Sequence, residues 1–319
     1  HEDPAYDDCV LHLVFRDPCG SAEARCRNGK TPHTCFIGMD EALDCDTLPS
    51  CRIFKPDNEK YFDILKKAGW ERVRKKIRYF YENRLRFPND IMLYWGLFKA
   101  CGYRYNEENM IKLFVSFPWA AYCDNLLDRK DILPMLNELA GFTGGGTENK
   151  IRWTRSRTRP SHFPDNRIDW LGRLMAYYAG ASLSGMTYDM FRDGKNILTI
   201  ISELFHIPGS HAPGDVLKKE MLMNTVLPLM EAIRMDKKET SEIKKSISSV
   251  FESMQMPTAY GTVQRFHDNH GIPDKEKRQR NWLISQGVLS IRETYCSQNE
   301  QLKCPICLLD RVAREDAGK

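Results

Sequence analysis

Three cysteines near the end of the chain have the residue type and the spacing of a metal site. Two residues separate Cys304 from Cys307, and Cys296 lies eight residues before Cys304. A pair of thiolates with this separation can bind one ion, and zinc is expected ahead of an iron–sulfur cluster, whose four cysteines usually lie together. A tetrahedral site needs a fourth ligand, for which the candidates are His267, His270 or a more distant cysteine. The alternative is three thiols that bind no metal.

A second group of candidates is a set of cations in the helical stretch from Ile64 to Arg86. Nine Lys or Arg residues lie there with only two Glu residues, and an apolar stripe occupies the other side. Such a cluster attracts phosphates and releases counterions when it binds nucleic acid. The candidate phosphate ligands are Arg74, Lys75 and Arg78. The alternative is a solvated helix face whose charges pair with the carboxylates of a neighbouring domain.

A third group is the arginine-rich stretch 150–173. Six Arg residues and one Lys lie there with two Asp residues, and Arg is the better bidentate partner for phosphate. Interleaved aromatic rings could stack on bases; they belong to Trp153, His162 and Phe163. The candidate ligands are Arg152, Arg155, Arg157, Arg159 and Arg167. The alternative is a loop whose arginines form structural salt bridges between two helices.

These groups must be positioned by a mainly helical chain. Residues 9–15 have apolar side chains on both faces of a predicted central strand, and 34–37 could pair back with it as a second strand. Two short strands are not stable alone, so we expect further strands ahead of His1. From about residue 57 the apolar period becomes helical. The predicted fold class is α+β, predominantly α-helical, with a short N-terminal β fragment of a larger sheet followed by a multi-helix region.

The run Gly144–Gly146 is the clearest predicted linker. It predicts three regions: 1–56 as the end of an N-terminal α/β domain, 57–143 as a helical region, and 144–319 as a helical C-terminal domain. Capping residues and glycines predict a helix start at 88–90, a stop at Gly102 and a cap at Asn106. Later helices are predicted over 120–128, 132–140, 165–181, 196–205, 215–234 (kinked at Pro228), 239–254, 261–269 and 281–295.

The composition is that of a soluble globular protein. Hydrophobic residues make up 42% and charged residues 28% of the 319 residues, and no apolar run reaches the roughly 18 residues of a membrane span. A net charge of +4 is only a weak indication of a polyanionic partner. The eleven cysteines do not form a regular framework, which predicts reduced thiols and a cytoplasmic protein.

Several segments, in the same order along the chain, resemble a bacterial family known as domain of unknown function 2851. The segments are His1-x2-Pro4-Ala5-Tyr6-Asp7, Val10–Val14, Tyr94-x-Gly96-Leu97-Phe98, Ala100-x-Gly102-Tyr103, Arg157-x-Arg159-Pro160-x2-Phe163-Pro164-x2-Arg167-Ile168, Asn224-Thr225-Val226-x-Pro228-Leu229 and the tail cysteines. The resemblance implies a preceding stretch with an Asp and a Glu on a strand. These are the residues with which a PD-(D/E)xK-like nuclease holds Mg²⁺ and activates water. That Asp and that Glu belong to the preceding stretch and not to this chain, so no catalytic residue is assigned.

The sequence therefore predicts a nucleic-acid-binding protein, with DNA or RNA as partner. The enzyme class that the resemblance implies is a metal-dependent nuclease whose catalytic residues lie outside this chain. The alternative is a non-catalytic scaffold or interaction protein that docks an acidic partner through the same basic faces.

Overall fold

The computed structural model describes residues 11–15, 25, 28–31, 33–37, 58–143, 151–155, 163–208, 213–239, 241–256, 260–272, 280–298, 300 and 303–309. The chain forms two compact units, 1–52 and 53–319. In the first unit, β1 (Leu11–Phe15) and β2 (His33–Ile37) pair in parallel. The sequence had suggested that the second strand turns back on the first. The connection of more than a dozen residues is instead long enough for a parallel crossover. A larger sheet around these strands remains a prediction.

The second unit is built from helices, and the prediction of a predominantly helical chain is confirmed. They are α1 (Asn58–Asn83), α2 (Asn89–Ser116), α3 (Trp119–Cys123), α4 (Arg129–Leu139), α5 (Pro164–Tyr178), α6 (Leu183–Arg192), α7 (Ile197–Phe205), α8 (Asp215–Met221), α9 (Leu227–Lys237), α10 (Ser241–Ser253), α11 (Gly261–Asn269) and α12 (Trp282–Ile291). One π-turn (Leu222–Val226) joins α8 to α9, and a second (Arg292–Cys296) follows α12. In the described part of the chain, no helix has the length and apolarity to cross a membrane.

Asparagine caps mark two helix starts as the sequence predicted. Asn196 accepts a hydrogen bond from the Leu198 amide at 2.8 Å, and Asn281 accepts one from Ile284 at 3.0 Å, which satisfies amides that lack a helical partner. Asn106 does not cap a helix, because its side chain bonds to the backbone of Thr154. Helix α6 was not predicted. It begins five residues after α5 ends, beyond the helix predicted over 165–181, and no helix was predicted over its residues.

Two glycines allow α1 and α12 to cross at backbone contact. A Cβ atom at Gly287 would lie 1.9 Å from the Leu65 carbonyl oxygen, and one at Gly69 would lie 2.2 Å from the Leu283 carbonyl oxygen. Only glycine permits such distances. The close crossing brings polar side chains of α1 next to those of α12.

Tyr103 divides α2 into two halves, 89–102 and 104–116. Its φ of 49° and ψ of −161° lie outside the helical region, in backbone space that only glycine adopts readily. A Cβ atom at Gly102 would lie 2.5 Å from the Cα of Glu107. The predicted helix stop at Gly102 therefore coincides with a break, after which the helix resumes.

Helices from both sides of the predicted linker share one apolar core. Phe98 and Leu113 of α2 belong to the same cluster as Trp170 of α5 and Leu229 of α9. The expected boundary at residue 144 thus does not separate the described helices into two cores; Gly144–Gly146 themselves lie outside the described residues. A smaller apolar cluster joins the start of α1, α11, α12 and the tail.

Candidate functional site

Several cations of α1 have partners within the protein. Lys66 lies 3.6 Å from Glu252, Arg84 pairs with Asp236, and Arg72 pairs with Glu293. These contacts are what the structural alternative predicted for this helix. They account for only part of its positive charge.

The three candidate phosphate ligands of α1 are exposed. Arg74, Lys75 and Arg78 lie within little more than one helical turn, so their side chains share one side of the helix. They form no ion pair with any residue that the structure describes. The exposed Glu71 and Glu82 flank them one turn away on either side.

Lys76 points to the other side of α1 and enters a polar network between helices. Its ammonium donates to the side-chain oxygens of Asn224 and Gln286, the latter at 3.0 Å, and lies 4.9 Å from the centre of the Trp282 ring. The same Gln286 oxygen accepts a second hydrogen bond from Arg72 Nε at 3.0 Å. One amide oxygen therefore joins two cations of α1 to α12.

The network continues to the carboxylates. Asn224 Nδ2 donates to Glu220 Oε2 at 2.5 Å, and the Tyr260 hydroxyl donates to the other oxygen of Glu220. Glu293 accepts from Arg72 at the opposite end. Two basic side chains and two carboxylates are thus connected, with the amides of Gln286 and Asn224 between Arg72, Lys76 and Glu220.

Burial makes Lys76 a weak base. The pKa of Lys76 is lowered from 10.5 to about 7, mainly by loss of water around the ammonium and also by the nearby Arg72 charge, while Glu220 opposes the shift. An amine with a pKa in this range is partly protonated and partly neutral near pH 7, whereas an ordinary lysine is fully protonated there.

Both π-turns supply residues to this network. Asn224 lies in Leu222–Val226, and Glu293 lies in Arg292–Cys296. A π-turn inserts an extra residue into a helix and rotates the side chains that follow it, and such turns are frequent at functional sites. The kink expected at Pro228 takes the form of the first π-turn, which ends two residues before that proline.

The described part of the arginine-rich stretch is fixed along the second half of α2. Asn106 exchanges two hydrogen bonds of 2.8 Å with the Thr154 backbone, and Asn109 donates to the Arg152 carbonyl at 2.7 Å. The Trp153 indole donates to the Ala140 carbonyl at 2.8 Å and packs on Phe142, so it does not stand open for bases. The structural alternative had assigned the anchoring of this stretch to arginine salt bridges, whereas two asparagines of α2 hold its described part.

Arg152 and Arg155 are exposed, as the surface prediction requires. Arg155 lies 3.3 Å from Asp165 and 5.7 Å from the centre of the Phe163 ring, both at the start of α5. Arg157, Arg159 and His162 lie outside the described residues.

The structure places Arg167 in the interior instead of on the surface. Only 4% of the residue is exposed, and its guanidinium lies 5.7 Å from the centre of the Tyr103 ring. Arg167 forms no ion pair with a described residue, and its buried Nε has no hydrogen-bond partner among them. It belongs to the same neighbourhood as Arg152 and Arg155, because all three lie along the contact of α2 with α5. The candidates on α1 form a separate group.

The tail cysteines pack in the smaller apolar cluster. Cys304 is buried, and Cys296 and Cys307 are half-buried beside it. His267 is buried in α11, where its Nδ1 hydrogen-bonds to the Tyr61 hydroxyl at 3.0 Å. Among the described residues, no three His, Cys, Asp or Glu side chains are arranged to hold a metal ion. Zinc at this tail remains a prediction.

The Lys76 network was not found from the sequence, although a signal for it exists. Lys76 lies three residues after Val73 and four before Phe80, which places it within the apolar stripe of α1. Arg167 has the same signature, with Leu171 and Leu174 at helical spacing after it.

Comparison with protein-family models, with curated proteins and with solved structures gives no match for this chain. The resemblance described above therefore remains a prediction, and the proposals below rest on the residues themselves.

Proposed function

We propose that the helical unit binds nucleic acid, DNA or RNA, through its exposed cations. The observation that carries the proposal is the exposure of Arg74, Lys75 and Arg78 on one side of α1 without an ion pair among the described residues. Cations that serve only the fold are neutralised, as Arg72 and Arg84 are in the same helix. Arg152 supplies a further exposed cation, whereas Arg155 is exposed but pairs with Asp165.

Binding of this kind depends on salt, because every neutralised phosphate releases counterions. The logarithm of affinity falls with the logarithm of salt concentration by about 0.9 for each phosphate contacted on duplex DNA. Three contacts removed from α1 should therefore lower the slope by about 2.7.

The test is the binding of labelled DNA and RNA duplexes at several salt concentrations, measured by fluorescence anisotropy. Alanine at Arg74, Lys75 and Arg78 together should weaken binding and flatten its salt dependence. The matched control is alanine at Lys244 and Lys245, exposed cations of α10, which should leave the slope unchanged. Equal binding by the two variants would remove α1 from the interface.

The alternative function is docking of an acidic protein without catalysis. It is favoured by the observation that α1 cations already pair with the carboxylates Glu252, Glu293 and Asp236 of this chain. Competition separates the two functions. A poly-glutamate peptide that displaces labelled DNA at equal charge concentration would favour acidic protein, whereas DNA retained against that peptide favours nucleic acid.

The wider proposal, a metal-dependent nuclease, rests on the family resemblance alone. It predicts that DNA or RNA is cleaved in the presence of Mg²⁺ by catalytic residues that lie outside this chain. The zinc proposal for the tail is independent of it: serine at Cys304 and Cys307 should remove bound zinc, measured by elemental analysis of the purified protein. Absence of zinc from the unmutated protein would end that proposal.

A further inference from the structure

Arg167 differs from the other cations that the helices withdraw from water. Arg84 is buried beside Asp236, and Arg234 holds Glu231 at 2.7 Å. Arg167 is 4% exposed and forms no ion pair with any residue that the structure describes. Its buried Nε lacks a hydrogen-bond partner there, as the Nε of Arg84 does, so the missing ion pair is what distinguishes Arg167. A buried charge without a counter-charge is costly, so something else should supply the negative charge.

The groups around Arg167 do not supply that charge. Burial raises the pKa of the Cys101 thiol to about 12 in spite of the arginine nearby, so the thiol is neutral at pH 7. Burial also raises the pKa of the Tyr103 hydroxyl, which is neutral as well. The carboxylate of Glu220, which acts on Tyr103 electrostatically, forms no ion pair with Arg167 and instead accepts hydrogen bonds from Asn224 and Tyr260. The sequence 156–162 contains no Asp or Glu.

A helix start adjoins the same position. Tyr103 interrupts α2, so the backbone amides at the start of 104–116 lie directly after the ring on which Arg167 packs. The first amides of a helix lack helical partners and carry a partial positive charge that favours anions. The guanidinium of Arg167, which has no ion pair among the described residues, thus lies 5.7 Å from the ring of the residue that directly precedes this helix start. A buried guanidinium and a helix start both favour an anionic ligand.

We propose that Arg167 and the start of the second half of α2 bind the oxyanion of a small molecule, a phosphate or a carboxylate. The guanidinium supplies paired donors in one plane, and the helix start supplies backbone amides. Asn106, three residues after Tyr103, holds the Thr154 backbone beside the second half of α2. Arg152 is exposed in the same segment, and its charge attracts anions toward this part of the protein.

This site does not depend on the proposed nucleic-acid binding. A residue that is 96% buried cannot contact the backbone of a long polyanion on the surface, and the α1 cations belong to a separate group. Loss of binding in the α1 variant should therefore leave the small-anion site intact.

The experiment measures the thermal unfolding midpoint in sodium phosphate, sodium acetate and sodium chloride at equal ionic strength. At ten times its dissociation constant, the bound anion should raise the midpoint by roughly 4 °C over chloride. Arg167→Met, which keeps the side-chain volume and removes the charge, should abolish this increase. The matched control is Arg173→Met on the same helix, whose arginine pairs with Asp169 at the surface and whose loss should preserve the increase.

The arms of the experiment identify the ligand. An increase with phosphate alone assigns a tetrahedral oxyanion, and an increase with acetate alone assigns a carboxylate. An equal increase in the unmutated protein and in Arg167→Met would be a general salt effect and would overturn the site. If Arg167→Met does not fold, calorimetric titration of the unmutated protein with phosphate and acetate decides. No saturable binding at millimolar concentration would overturn the proposal.

Discussion

Lys76 and Arg167 are both cations within apolar helix stripes, but the protein surrounds them differently. Lys76 donates to Asn224 and Gln286, and the same network reaches two carboxylates. Arg167 lies against the Tyr103 ring and has no carboxylate partner among the residues described. The first environment contains its own paired carboxylates, whereas the second has no carboxylate paired with Arg167 among the described residues.

The difference indicates which of the two regions is structural and which is open to a ligand. A buried polar network whose members are all paired fixes the arrangement of the helices that carry it. A buried charge that lacks its partner raises the free energy of the protein alone, and a ligand that supplies the partner recovers it. Changes around Lys76 should therefore alter stability, and changes at Arg167 should alter the response to anions.

The largest loss of stability is expected from a substitution at the crossing of α1 and α12, between which the Lys76 network lies. In Gly287→Ala, the new methyl group would lie 1.9 Å from the Leu65 carbonyl oxygen, so the helices must separate. Separation would also pull Gln286 away from Lys76. We expect a loss of about 3 kcal/mol in the free energy of unfolding, measured by urea denaturation.

The control for this substitution is Gly261→Ala, because a methyl group there meets nothing within 4 Å. It should change the free energy of unfolding by less than about 0.5 kcal/mol. If Gly287→Ala were equally mild, α1 and α12 would not cross at backbone contact.

The next effect is the dependence of stability on pH that Lys76 should produce. Below about pH 7 both the folded and the unfolded chain carry the Lys76 proton, so the cost of burying the ammonium is fully present. Between about pH 7 and 10.5 only the unfolded chain keeps that proton. The free energy of unfolding should therefore rise by up to about 1.4 kcal/mol per pH unit. Lys76→Met should lose this rise, measured by urea denaturation at pH 6 and pH 9.

The variant Arg167→Met tests the same pH dependence at the second buried cation. Because an arginine stays protonated in both states, the difference between this variant and the unmutated protein should be the same at pH 6 and pH 9 in buffers without phosphate. A Lys76→Met difference that is also independent of pH would show that Lys76 keeps its proton in the folded protein.

The sequence predicted helix starts well, because their signals are local. Asn196 and Asn281 cap the helices that follow them, since a side chain and an amide two or three residues away need no other part of the chain. Asn106 has the same residue type but bonds to Thr154, 48 residues away. A local pattern cannot distinguish these two uses.

The sites were predicted less well, because counting charges does not tell which side of a helix they occupy. Arg74, Lys75 and Arg78 are exposed as expected, but Lys76 of the same run is turned inward by its place in the apolar stripe. Its partners lie 148 and 210 residues away, and the second of them, Gln286, is on α12, whose contact with α1 depends on two glycines. The sequence shows that Lys76 and Arg167 lie within apolar helix stripes. It does not show that Lys76 has hydrogen-bond partners from other helices, or that Arg167 has no ion pair among the described residues.

A smaller effect is expected at Gln286, which joins Arg72 and Lys76. In Gln286→Ala both donors lose an acceptor at 3.0 Å, and a half-satisfied network should lower the free energy of unfolding by about 2 kcal/mol. Urea denaturation would measure this change. Gln264→Ala is the control, because the Gln264 side chain forms no hydrogen bond with a described residue. Equal losses in both variants would mean that Gln286 acts by packing and not as an acceptor.

The smallest effect is expected for a cation that is paired but exposed. Arg173 lies 2.8 Å from Asp169 on the surface of α5, with 43% and 37% of the two side chains exposed. Water already solvates both groups, so Asp169→Asn should lower the free energy of unfolding by only about 0.5 kcal/mol. That loss should disappear in 1 M salt, which screens exposed charges. Urea denaturation at low and high salt measures both. A loss as large as that of Gln286→Ala would mean that having a partner, and not being buried, decides how much a charge contributes to this fold.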